Sequence, residues 1–167
     1  VQGTETAPVG TLGQATISYS ALVTETNTSY GSDGAATSGA KTYTLVATDG
    51  TSSGYLTSTG TDIKLYNNAG VVEGRVGGSG GAVAFTATVG ADGQVTFTQN
   101  LAIQHTNTGS ANESSNGMAA GALGLTVTLK DADGDTAASS VDLGSAIRIL
   151  DDAPSITAGL KASTYLT

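Results

Sequence analysis

The sequence predicts an all-β domain, a β-sandwich or a related fold, and three observations predict it. Short stretches of alternating apolar and polar residues recur along the 167-residue chain, the period of half-buried strands. Turn signals such as Asp49-Gly50, Asn67-Asn68-Ala69-Gly70 and Ala91-Asp92-Gly93 separate these stretches at short intervals. No stretch sustains a helical period; residues 118–123 are the single helical candidate, short and flanked by Gly.

In chain order, residues 15–23 read as a strand with Ile17 and Tyr19 on one parity, and 24–40 as a long polar loop. Residues 41–48 read as a strand with Tyr43 and Leu45 inward. Strands 62–66 and 71–76 flank the Asn-rich turn, and 77–81 is a Gly-rich loop. Residues 82–89, with Val83, Phe85 and Val89 on one side, lead through a hairpin turn to 94–98, which 101–104 extend. After a polar loop, 106–117, strands at 121–130 and 140–150 complete a set of roughly eight to ten.

Composition narrows the possibilities. Gly is 24 of the residues and Pro 2; aromatics are 5 % and charged residues 12 %. That charge is too low, and the alternation too regular, for a disordered chain. Large core side chains are few, so small residues and Thr methyls must fill the interior. Cys is absent, which removes disulfides and leaves metal as the usual staple of such a domain. The formal net charge is −8, from 14 acids and 6 bases. This argues against nucleic acid, whose phosphates need cations, and against an anionic membrane surface. No apolar run approaches the ~20 residues of a membrane span.

The acids are unevenly spread. Asp131, Asp133 and Asp135 lie between one alternating stretch (Leu125, Val127, Leu129) and another (Val141, Leu143, Ile147, Ile149). Carboxylates this close repel one another unless a cation neutralises them, and clustered oxygen ligands suit calcium. They occupy the first, third and fifth places of a calcium loop, but Gly134 falls at the fourth place and no Glu stands at the twelfth, so the EF-hand pattern fails. The competing reading is an Asp/Gly hairpin turn with solvated charges. Asp151 and Asp152, before Pro154, are candidate ligands for a cation shared between neighbouring domains, or a plain polar linker. Asp49 closes TYTLVATDG, whose outline echoes GLTVTLKDADG, and is a further candidate. Asp33 and Asp92 each precede Gly and read as turn residues. Glu5, Glu25 and Glu73 are possible distant ligands that spacing does not rank.

Catalytic patterns fail on inspection. His105 is the only histidine and lacks the partners of a zinc site. Residues 77–81 match G-x-S-x-G, but a strand follows where the nucleophile elbow needs a helix. Residues 34–42 miss the P-loop by one displaced Lys, and again a strand follows. The expectation is a protein that is not an enzyme.

The only two prolines recur in similar contexts, Ala7-Pro8 and Ala153-Pro154. If each marks a linker, residues 1–10 leave a preceding unit, 11–152 form one domain, and 153–167 are a linker and the start of the next unit. The chain starts at Val1 with no signal peptide and reads as a processed protein or a fragment.

Three runs then carry a resemblance: SSGYLTSTGTDIKLYNNAGVVEGRVGG, AVAFTATVGADGQVTFTQNLAIQH and LTVTLKDADGDTAASSVDLGSAIRILDDAP. Roughly from Thr42 to Pro154 the chain resembles the repeated domains of very large type I-secreted bacterial adhesins of the repeats-in-toxin (RTX) class. The resemblance implies an immunoglobulin-like β-sandwich stabilised by calcium. It implies an extracellular place on the bacterial cell surface, with neighbouring repeats of the same polypeptide as partners, extending an adhesive tip in adhesion and biofilm formation. The glycine-rich nonapeptide that names the class is absent, which implies an extender module. Such adhesins are cut at a di-alanine site in a separate retention module; Met118-Ala119-Ala120-Gly121 reads better as entry into a buried strand. The rival expectation is a module binding surface glycans through loops 24–40 and 106–117, with Tyr30, Tyr55 and Tyr66 as stacking candidates.

Overall fold

The structure is a computed structural model that describes the backbone of residues 4–5 and residues 10–104 and 117–149 in full. In chain order the elements are β1 (Thr4–Glu5), β2 (Gly13–Ile17), the single helical turn α1 (Tyr19–Leu22), β3 (Lys41–Val46), β4 (Ser52–Leu56), β5 (Asp62–Asn68), β6 (Val71–Val76), β7 (Val83–Val89), β8 (Val95–Gln99), β9 (Gly124–Lys130) and β10 (Thr136–Asp142). The protein is all-β. A seven-stranded antiparallel sheet runs β1-β2-β8-β7-β6-β5-β4, and a three-stranded one runs β10-β9-β3. β3 lies against β6 and β7, which joins the two sheets through one core.

Alternation explains which side chains meet there. Leu45 on β3 and Leu125 and Val127 on β9 face Ile63, Leu65, Val72 and Phe85 of the large sheet, and all are buried. Each such side chain contributes about 1.5–3 kcal/mol on leaving water. Phe85 is the centre of this layer. Its ring stacks on Phe97 at 4.9 Å and meets Tyr55 edge-on at 6.0 Å. Gly74 on β6 makes room for it, since a Cβ there would run into the Phe85 ring. A register shift opposite Gly74 and Arg75 buries Ala84 as well as Phe85, so the expected strict parity through Val83 is broken. Outward positions carry hydroxyls and amides that bond across strands: Thr16 to Thr96 at 3.2 Å, Gln14 to Thr98 at 2.9 Å and Thr126 to Ser140 at 2.7 Å. The charged outward residues Lys64, Glu73 and Arg75 gather on β5 and β6.

Five elements depart from the sequence reading. The strand expected over 15–23 ends at Ile17, and α1 follows, because the turn lays Tyr19 on the Tyr43 ring (centroids 4.8 Å apart) and Leu22 on the core. β4 is an additional strand. Its residues are Ser-Ser-Gly-Tyr-Leu, with Gly54 at φ +83°; their burial alternates but their hydropathy does not, and the pairing with β5 shifts register. The strand expected over 140–150 starts earlier and ends earlier, as β10, followed by a 3-10 turn at Gly144–Ala146. Pairing with β9 sets those limits, and Leu143 and Ile149 reach the core from irregular backbone. Residues 118–123 form turns, not a helix, and deliver buried Met118, Ala122 and Leu123 just before β9. Thr4 and Glu5, expected in a linker, pair with Thr16 and Ala15 as β1.

Candidate metal centre

β9 and β10 pair without a break from Asp142↔Gly124 to Thr136↔Lys130, and residues 131–135 close the hairpin. The loop is built around Asp131. Its Oδ1 accepts the backbone N–H of Gly134 at 3.0 Å and of Asp135 at 2.7 Å, while its own N–H donates to the Asp135 carbonyl at 3.0 Å. Such local carboxylate-to-backbone bonds are what Asp contributes to turns. Gly134 sits at φ +104°, where a side chain is strained. The result points three carboxylates together: one oxygen from each of Asp131, Asp133 and Asp135 lies within 4.8 Å of the others. Asp131 is half-buried and the other two are exposed.

The polar loop before β3 braces this hairpin. Ala35 bridges to Asp131, the Ala132 N–H donates to the Gly34 carbonyl at 3.0 Å, and the Ala36 N–H donates to the Lys130 carbonyl at 3.0 Å. Between loop and hairpin lies a shallow groove of about 190 Å³, lined by Ser29, Tyr30 and Gly31 on one side and by Asp131, Asp135 and Thr136 on the other. A hydrogen bond with the Asp133 carboxyl, then those from the loop amides, holds the Asp131 carboxyl below its usual value against partial desolvation. Among the described residues the two ion pairs are Lys41–Glu25 and Arg75–Glu73, so none of the three carboxylates is in an ion pair, although the Lys130 side chain runs past Gly134. An all-oxygen donor set of three carboxylates, none of them ion-paired, suits a hard cation. The three carboxylates form a group that could hold a metal ion.

The other candidates fall elsewhere. Asp49 is not brought to the cluster. Its Oδ1 accepts the Asn67 N–H at 2.7 Å and the Asn67 Nδ2 at 3.0 Å, tying the turn after β3 to β5. β3 and β9 are antiparallel neighbours, so the acids that follow them go to opposite ends of the sheet. Asp151, Asp152 and His105 lie outside the described residues. Glu73 is held by Asn68 at 3.0 Å and by Arg75 Nε at 2.7 Å. Asp92 accepts the Gln94 N–H at 3.1 Å, as a turn residue should. Glu5 has its backbone in β1. Tyr55 is buried with its hydroxyl donating to the Ile147 carbonyl at 2.8 Å, which removes it as an exposed stacking platform.

Glu25 is the centre of a second cluster that spacing did not reveal. Its carboxylate accepts from Tyr19 Oη at 2.6 Å and Thr28 Oγ1 at 3.0 Å, and pairs with Lys41 Nζ. The ammonium lies 5.0 Å from the Tyr19 ring centre and 5.9 Å from that of Tyr43. Bonds from Lys41, Tyr19 and Thr28 pull the Glu25 carboxyl down to about 2. Lys41 is raised by the same bond. Burial first, and then the bond to Glu25, pushes Tyr19 up. A lone Glu in a polar loop gives no sequence signal for this arrangement, which depends on α1 and β3 meeting.

Two antiparallel sheets around one core, with a metal-capable acidic hairpin at one end, define a class of all-β domain. Within it the chain belongs to the family described as Domain of unknown function (DUF5801), whose model matches residues 3–144. No curated protein and no solved structure matches the chain.

Proposed function

We propose that this domain is a calcium-stabilised, immunoglobulin-like β-sandwich that acts as a structural spacer, one of several in tandem in a cell-surface adhesin of the RTX class. The observation that carries this reading is the loop of Asp131, Asp133 and Asp135, whose carboxylates converge and, among the described residues, form no ion pair. The sequence runs that resemble RTX repeats, the absence of Cys and the lack of any nucleophile–base pattern support it. Calcium suits the site better than magnesium because it accepts six to eight oxygen ligands in irregular geometry. Asp131, Asp133 and Asp135 would hold the ion, with carbonyls or water completing the shell. A bound cation adds stability only to the folded state. Outside the cell, where calcium is abundant, sites with dissociation constants of about 10⁻⁴–10⁻³ M fill. A calcium-poor chain inside the cell stays easier to unfold and export.

The test is calorimetric titration with calcium of the full chain and of an Asp131→Ala/Asp133→Ala double variant. Saturable binding by the parent, lost in the variant, supports the reading. A parent that binds no calcium at millimolar concentration overturns it. A second reading, recognition of surface glycans, has one observation in its favour: Tyr30 flanks the groove beside Asp131 and Asp135. There a bound ion and an aromatic face would meet a sugar diol together. Saturable binding on a glycan array, lost with Tyr30→Ala, would select it.

A further inference from the structure

The two sheets have four edges, and they are not equally protected. An open edge offers unpaired backbone groups to any other strand, and proteins normally blunt it. At one end of the large sheet β1 is only two residues long. At the other, β4 is covered: the Ala119 N–H donates to the Ser53 carbonyl at 2.8 Å, the Gln104 N–H donates to the Leu56 carbonyl at 2.8 Å, and Thr57 bridges to Ile103. On the small sheet, β3 is screened by α1 and the Glu25 loop, through the Tyr19–Tyr43 contact and the Lys41–Glu25 pair.

Among the described residues β10 has none of these devices. Seven consecutive residues pair with β9 with no bulge. Residues 136–141 are Thr, Ala, Ala, Ser, Ser and Val, without charge or Pro, and all but half-buried Val141 are exposed. The bonds at the two ends, from Asp131 N to Asp135 O and from Leu143 N to Leu123 O, set the phase of the ladder. Odd-numbered residues of β10 bond to β9, so Thr136, Ala138, Ser140 and Asp142 turn their N–H and C=O groups outward. Among the described residues nothing accepts or donates to them.

We propose that this edge is a homotypic docking surface, and that its occupant is β10 of a second copy of this chain, paired antiparallel about a two-fold axis through Ser139. A second copy fits this edge in phase and without opposing charges along the ladder. About Ser139, Ala138 faces the second Ser140 and Thr136 faces the second Asp142, so every outward residue of one copy meets an outward residue of the other. Ser139 faces its own copy, with Cβ atoms ~5 Å apart. No charged side chain lies between the two ends of the ladder. Asp142 at each end already accepts two backbone N–H groups, from Gly121 at 2.9 Å and from Gly144 at 2.8 Å, which satisfies its oxygens. Pairing turns two three-stranded sheets into one of six strands. It needs no metal, so it stands or falls independently of the calcium reading. In tandem arrays it would link neighbouring chains side by side, each contact weak and the sum strong.

The experiment is sedimentation equilibrium of the full chain up to about 1 mM in ~0.15 M salt, where the repulsion between two chains of net charge −8 is largely screened. The expected parent is a reversible monomer–dimer. Ser139→Lys and Ser139→Glu each place like charges across the two-fold axis and should weaken the dimer by about tenfold or more. An equal mixture of the two should restore association to the parental level or above. Ala138→Pro, which removes an outward N–H while leaving the β9 ladder intact, should also weaken it. Circular dichroism of each variant confirms the fold, since these positions are exposed. A parent that stays monomeric, or a dimer indifferent to Ser139 charge, overturns the proposal. A dimer weakened by both charges but not restored by mixing points to docking on another strand and overturns the two-fold register.

Discussion

Two acidic centres stand at the same end of the small sheet, and they are solved in different ways. Glu25 is given its counter-charge by the chain: Lys41 pairs with it, and Tyr19 and Thr28 donate to it. Asp131, Asp133 and Asp135 receive only backbone N–H groups and one another. Lys41 and Asp131 are close along the sheet, since Lys41 pairs with Leu129 and Asp131 follows Lys130. The first centre is complete as folded. The second forms no ion pair within the described residues, so a cation or a proton from solution can neutralise it. The difference locates where solution conditions act on this protein.

The largest expected effect separates the two directly. At a hundredfold excess over its dissociation constant, calcium should raise the thermal midpoint by about 5–10 °C. Asp131→Ala/Asp133→Ala should abolish the rise and Glu25→Gln should leave it intact, as read by scanning calorimetry with and without EGTA. An unchanged parental melt in excess EGTA would remove the distinction between the centres.

A second change makes the hairpin resemble the Glu25 centre. Asp133→Lys supplies an internal cation, so the metal-free midpoint should rise by about 1–3 °C and the calcium response should vanish. A variant that still responds to calcium would show that the three carboxylates are not the ligands.

Acid sharpens the contrast from the other side. Glu25 has a folded pKa of about 2, depressed from 4.5. A depressed carboxyl stabilises the fold above its unfolded value, and that contribution fades as pH falls from about 4.5 toward 2. Denaturant midpoints across that window should fall less steeply in Glu25→Gln than in the parent. Asp131 is also lowered, so its contribution has the same sign, and calcium release should accompany its protonation. The Glu25 effect is modest because the group is exposed to solvent.

The smallest effect tests the loop backbone. Gly134→Ala puts a side chain at φ +104° and should weaken calcium binding by about three- to tenfold while leaving the acid profile of Glu25 unchanged. Equal affinities in a titration would mean that the loop geometry does not set the site.

The β-class was legible because alternation survives packing: Leu45, Leu125, Val127 and Ile63 are all inward, as their parity requires. The acidic hairpin was legible because three Asp at spacing two between strands cannot avoid one another. β4 was not legible, since Ser53 and Gly54 carry no apolar signal and Gly54 is placed by the backbone of Ala119, whose N would lie 2.8 Å from a Cβ there. Residues 143–149 were read as strand because Leu143, Ile147 and Ile149 share a parity, yet burial can be reached from irregular backbone too. That Asp49 stands at the other end of the sheet from Asp131 was not legible, because likeness between two strands says nothing of their relative direction.

Local chemistry along the chain was enough to fix the β-character, the turns at Asp49-Gly50 and 91–93, the net charge and the crowding of Asp131, Asp133 and Asp135, because each depends on near neighbours. Which strands pair, which acid finds Lys41, and which edge is left bare at β10 were settled by residues far apart in the chain. Those outcomes depend on sheet order and direction, which bring Tyr19 to Tyr43, Gly34 to Ala132 and Ala119 to Ser53.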